Sequence, residues 1–131
     1  MIHSTPRRES LERFAPMGWL LSRDDVRFFE DHPRIAARFR RNRFHIFLSY
    51  WRDLHAEIAA FHRESLRLVA HGAWDLLAHL ARKRAVLLYH EARLLQAALR
   101  YRWMPAVPDV SQAVSGSLQA ILAEVALPVT A

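Results

Sequence analysis

No cysteine occurs in the 131 residues, which excludes disulfides, thiol nucleophiles and Cys-ligated zinc or iron–sulfur centres. Glycine is nearly as scarce. With only Gly18, Gly72 and Gly116, the chain cannot assemble a phosphate-cradling loop, a dinucleotide fingerprint or a Gly-x-Ser-x-Gly elbow. Long apolar runs are also missing: the longest uncharged window, Val110 to Ala123, falls short of the roughly 18 residues that a membrane helix needs. The first ten residues are basic and lack an apolar stretch, so no secretory leader is expected, and a soluble, cytoplasmic protein is the default reading. Lysine is reduced to Lys83, set against 18 arginines.

What remains is a helix-forming chain, 52% hydrophobic and 24% charged, long enough to close one core without covalent help. Thr5-Pro6 has the form of an N-cap followed by proline at the first helical position, which predicts a short helix over 6–15 that Pro16 and Gly18 interrupt. Ser22 and Asp25 have capping-box spacing, predicting a second helix to Asp31 with its acids in the first turn. His32-Pro33 ends that helix, because the residue before proline is pushed out of the helical region. From Arg34 to His71 there is neither Gly nor Pro. Within that span Phe47, Trp51, Leu54, Ile58, Phe61, Ser65 and Leu68 recur in steps of four and three, the period of a packed helix seam.

Gly72 is the natural stop after this helix, and Ala73 to Trp103 forms the next one. Leucine doublets at 76–77, 87–88 and 94–95 widen its apolar stripe, so it wants two neighbours: the preceding helix, and either the C-terminal helix or a second subunit. Pro105 and Pro108 break the chain. Ser111 is then placed to cap a last helix with Val114, Leu118, Ile121, Leu122 and Val125 on one face, closed by Pro128. No segment alternates as a strand. The expectation is a single all-α domain over 1–131, a bundle of four or five helices. Short helices fill 1–32, a long antiparallel hairpin (34–71 and 73–103) dominates 33–103, and a C-terminal helix occupies 104–131.

The net charge of +6 is unevenly placed. Residues 33–52 hold six arginines (34, 38, 40, 41, 43 and 52) and no acid, whereas 21–32 contain Asp24, Asp25, Glu30 and Asp31. A chain reversing at Gly72 brings Arg100 and Arg102 to the same end of the hairpin. Arg34, Arg38, Arg40, Arg41, Arg43, Arg100 and Arg102 are therefore candidate nucleic-acid contacts, because guanidinium pairs bidentately with phosphate. Phe39, Phe44, Tyr50, Trp51 and Trp103 could stack on bases, although aromatics at helical spacing more often form core. The acidic segment could instead fold back and neutralise the basic run.

Among eight histidines, His55 and His90 fall opposite each other in the hairpin and form the one metal-ligating pair to weigh. No Glu-x-x-His or His-Glu-x-x-His spacing accompanies them, so no metal or other cofactor is expected. Asp75 and His79 share a helix face, as a surface ion pair would. The pairs Arg38–His45, Arg40–His45, Arg27–His32 and Arg84–His90 have a spacing that resembles the Arg–His motif of helical-bundle RNases of the HEPN type. This arginine and histidine content gives about three such pairs by chance, so the spacing alone assigns nothing. The leading expectation is a non-catalytic interaction or scaffold module that forms a homodimer, or binds a helical protein partner, by helix packing. Nucleic-acid binding is the second reading and RNase activity the third; no small-molecule substrate is evident.

Overall fold

The structure, a computed structural model, describes residues 11–69 and 74–126. Among these there is no strand; Leu11 and Glu12 are helical, and five helices follow: α1 (Met17–Leu20), α2 (Arg23–Arg27), α3 (Pro33–Leu68), α4 (Trp74–Trp103) and α5 (Ser111–Ala126). The expected all-α bundle is therefore what the chain forms. The Thr5-Pro6 helix start, the stop at Gly72 and the Pro128 closure lie outside the described residues.

Pro33 opens α3 at the first helical position, where its missing N–H costs nothing, and the Ala36 amide closes the first turn on the His32 carbonyl at 2.9 Å. With 36 residues and no internal Gly or Pro, α3 extends about 54 Å, and α4, with 30 residues, about 45 Å. They run antiparallel: Arg40 meets Tyr101 near one end, and Phe61 lies against Lys83 towards the other. Phe47, Leu54, Ile58 and Phe61 of the predicted seam are buried, with Ser65 at its polar step. Leu87 and Leu94 face them from α4 while Leu88 is 42% exposed, so the doublets at 87–88 and 94–95 each send their first leucine inward.

α5 packs along α4, and α1 bridges α3 and α5. Val114, Ile121 and Val125 complete the core with Leu11, Phe14, Met17, Leu20, Leu21 and Val26 of the N-terminal segment. Both α4 and α5 thus contribute to one interior, and the C-terminal helix is one of the two neighbours that α4 was expected to need.

Four local expectations are corrected. α2 ends at Arg27 rather than Asp31, and Ser22 makes no side-chain cap bond. From Phe28 onward the chain is tied by short-range bonds (Phe29 to Val26, Glu30 to Arg27, His32 to Phe29), a tightening that lets it swing into Pro33 while Phe29 packs on Phe39 at 5.2 Å. The α5 N-terminus is capped by Asp109, whose Oδ1 accepts the Ser111 amide at 3.2 Å, not by the Ser111 side chain. Leu68, placed on the seam by spacing, is 56% exposed. It lies at the hairpin tip, past Lys83 and Glu124, where α5 ends.

Candidate functional site

The basic end of the hairpin separates into two groups of arginines. Arg40 faces inward: its Nε donates to the Tyr101 carbonyl at 2.9 Å, its Nη2 bonds that same oxygen, and Nη2 also donates to the Met104 carbonyl at 2.8 Å. These are last-turn acceptors that α4 cannot satisfy itself, so Arg40 caps the α4 C-terminus from the neighbouring helix. Burial lowers its pKa. Arg43 is also committed, lying 3.7 Å from Asp25 and over the rings of Phe39 and Trp19. The acidic segment therefore does fold back, and Asp25 engages Arg43.

Arg34, Arg38, Arg41 and Arg100 are exposed, and Arg102 is half-buried over Trp103. Among the aromatics, Phe39, Phe44, Tyr50 and Trp51 pack against the core, while Trp103 is 68% exposed. The expected set of basic side chains thus divides. Arg40 and Arg43 hold the fold, and the others face solvent.

Along the middle of the hairpin the structure brings together groups that sequence spacing had kept apart. His55 lies against Glu91, not His90: Nδ1 and Oε1 are 2.7 Å apart. Trp51 donates its indole N–H to the Glu91 carbonyl at 2.8 Å and stacks on His55 with rings 5.5 Å apart and nearly parallel. Glu91 is only 2% exposed, and its Oε2 has no hydrogen-bond partner among the described residues. Burial raises its pKa, partly offset by the hydrogen bond and charge of His55 and by Arg84. One heptad away, burial and the same Arg84 lower the pKa of His62. Lys83, 4% exposed beside Phe61, has its pKa lowered by burial against the opposing influence of Glu124. Glu57, the other carboxylate near His55 in sequence, is paired with Arg13 at 3.1 Å.

No group of three or more His, Asp or Glu side chains among the described residues could hold a metal ion, and His55 is engaged by Glu91. Arg38 and His45 are both exposed on α3, about 10 Å apart along its axis, while Arg40 turns away into its carbonyl contacts. A cleft of about 440 Å³ opens between α2, the first turns of α3 and residues 105–107, with Arg23, Arg27 and Glu30 at its rim.

The third feature is a row on α4 that no other element among the described residues covers. Ala81, Ala85, Leu88, Ala92, Leu95 and Leu99 follow steps of four and three over about 27 Å and contain no charge. All are exposed except Leu95, which is half-buried; Leu88 and Leu99 are 42% and 44% exposed. The row lies about a third of a turn from the buried one. Trp74 and Trp103, 78% and 68% exposed, extend it at either end. Leu88 and Leu95, the second members of their doublets, were the sequence signal for it. Leu48, Ala59 and Leu66 of α3 flank the same side of the hairpin, marked by the His55–Glu91 contact.

The chain matches no protein-family model, no curated protein and no solved structure. No helix among the described residues is long and apolar enough to cross a membrane.

Proposed function

We propose that this protein is an interaction module that self-associates by laying the outer row of α4, with the flanking edge of α3, against the same face of a second copy. The observation that carries the reading is the row of six uncharged positions at heptad spacing from Ala81 to Leu99, open to solvent along a helix whose buried side packs on α3 and α5. An apolar stripe of that length in water is costly, and monomers rarely keep one.

Two points favour a second copy as the occupant. An α4 strip about 45 Å long and an α3 edge of about 27 Å from Leu48 to Leu66, each about 10 Å wide, offer roughly 700 Å² per copy, within the range of a stable interface. The row is also half alanine, which allows two helices to approach closely, while its leucines supply the knobs. Pairing two hairpins in this way makes a four-helix layer, the ordinary solution for long amphipathic helices.

Gel filtration with light scattering tests the reading. A mass of twice 15.3 kDa is expected for the wild type, unchanged by salt. Leu88→Glu combined with Leu95→Glu should give the single-chain mass with helicity retained. A wild type that stays at 15.3 kDa at about 100 μM, a concentration where such interfaces associate, would remove the proposal.

A further inference from the structure

The arginines that face solvent form a line along α3 that adjoins the Leu48–Leu66 edge, with Arg41 and Arg52 each one heptad before Leu48 and Ala59. On α3, Arg34, Arg38, Arg41, His45 and Arg52 follow one another in steps of four, three, four and seven, and all five are exposed. At 3.6 residues per turn they occupy one narrow strip, on the side of the helix away from Phe47, Leu54 and Ile58. From Arg34 to Arg52 the strip is about 27 Å long, and α3 has no acidic residue over that distance. None of the four arginines makes an ion pair among the described residues. The two arginines of the same stretch that do have partners, Arg40 and Arg43, point elsewhere. Asn42, also exposed, stands beside the strip as a neutral donor.

We infer that this strip on α3 is a binding surface for the phosphate backbone of a nucleic-acid duplex. A helix fixed by its own hairpin cannot bend to follow a flexible strand, so its charges are neutralised best by a ligand that is itself stiff and densely charged. A duplex carries one phosphate per about 1.7 Å of axis, and 27 Å of strip spans the rise of about eight base pairs. Successive arginines stand about 4.5 to 6 Å apart over Arg34–Arg41. Each guanidinium can take a phosphate through two parallel hydrogen bonds. The strip has no side chains held in place to read bases, so recognition is of the backbone and not of sequence. This inference does not rest on self-association.

The test is fluorescence anisotropy with a labelled duplex of about 16 base pairs, as DNA and as RNA, and with the matching single strands, over a salt series. Four phosphate contacts give a slope of log K against log salt of about −3.6, equivalent to a loss of about a hundredfold in affinity between about 50 and 200 mM salt. Combining Arg34→Gln, Arg38→Gln, Arg41→Gln and Arg52→Gln should abolish that dependence with the circular dichroism spectrum unchanged. The corresponding four Lys substitutions should keep the slope and weaken binding, because they retain charge and lose the bidentate fork. Arg40→Gln should leave the slope intact. Equal binding by the four-Gln variant, or no duplex binding at about 50 mM salt, overturns the inference. Tighter binding of the single strands, or of phosphatidylglycerol vesicles in place of the duplex, overturns the assignment to a duplex.

Discussion

The two long rows of α4 are arranged in the reverse of what a solitary helix needs. The buried row runs through Leu80, Lys83, Leu87, Glu91, Leu94, Ala98 and Tyr101, and so encloses two ionisable groups and a phenol. Burial raises the Tyr101 pKa to about 12, against the pull of Arg43 and Arg40. The row facing solvent contains only alanine and leucine. Within the chain the inner row has polar neighbours: Glu91 Oε1 has His55, Lys83 feels Glu124, and Arg40 bonds the Tyr101 carbonyl, while Glu91 Oε2 and the Tyr101 hydroxyl have no hydrogen-bond partner among the described residues. The outer row has nothing comparable. A helix that tolerates charge inside and displays hydrocarbon outside is best explained as the middle layer of a larger assembly, and that contrast is the main reason for the self-association proposed here.

Substitutions that disturb one row and spare the other sharpen this contrast. Ile58→Asp puts a charge at the centre of the seam facing α4, and a loss of about 4 kcal/mol or more is expected, seen as collapse of helicity and melting temperature. Leu94→Ala, in the inner row, should cost about 3 kcal/mol in urea titration, whereas Leu88→Ala, in the outer row, should cost under about 1 kcal/mol in the single-chain form. Arg40→Ala leaves two carbonyls at the α4 terminus without their donor. It should lower stability by about 2 kcal/mol, while exposed Arg38→Ala stays within about 0.5 kcal/mol.

The pH dependence of the inner row has a definite sign. Burial raises the Glu91 pKa, so the folded state holds that proton to a higher pH than the unfolded chain does. This contribution is present below the usual carboxylate value of 4.5 and is lost as pH rises through the raised value. Melting curves of wild type and Glu91→Gln should therefore show the wild type losing ground relative to the variant as pH rises above about 4.5. A difference that is flat, or that grows with pH, would mean the carboxyl is not held in its neutral form by burial.

Much of the fold is legible in the sequence because its signals are local and repeated. A stretch of 38 residues after Pro33 without Gly or Pro, and apolar steps of four and three, fix α3 and the side it buries. The prolines at 105 and 108 end α4 with equal clarity. Less is legible where the outcome depends on a partner distant in sequence. The arginine run was evident, but the inward turn of Arg40 depends on where the α4 terminus comes to rest, and that of Arg43 on Asp25. The pairing of His55 with Glu91 rather than His90 is a shift of one residue in register, about 100° around a helix, which reverses which side chain faces in. Ser22 and Asp25 have capping spacing without forming the cap, because Phe29 on Phe39 and the entry to Pro33 set the path of that segment.

The most direct test of the proposed pairing across the outer row uses the absence of cysteine. Single-cysteine variants at Ala85 and Ala92 on α4, and at Ser49 on the outer face of α3, each carry one thiol in an otherwise thiol-free chain. With a short bismaleimide cross-linker, Ala85→Cys and Ala92→Cys are expected to give linked dimers at dilute protein concentration, and Ser49→Cys to remain a single chain. Cross-linking that is equal at all three positions, or confined to Ser49→Cys, would contradict the account, because it would show that the apolar row of α4 is not where two copies meet.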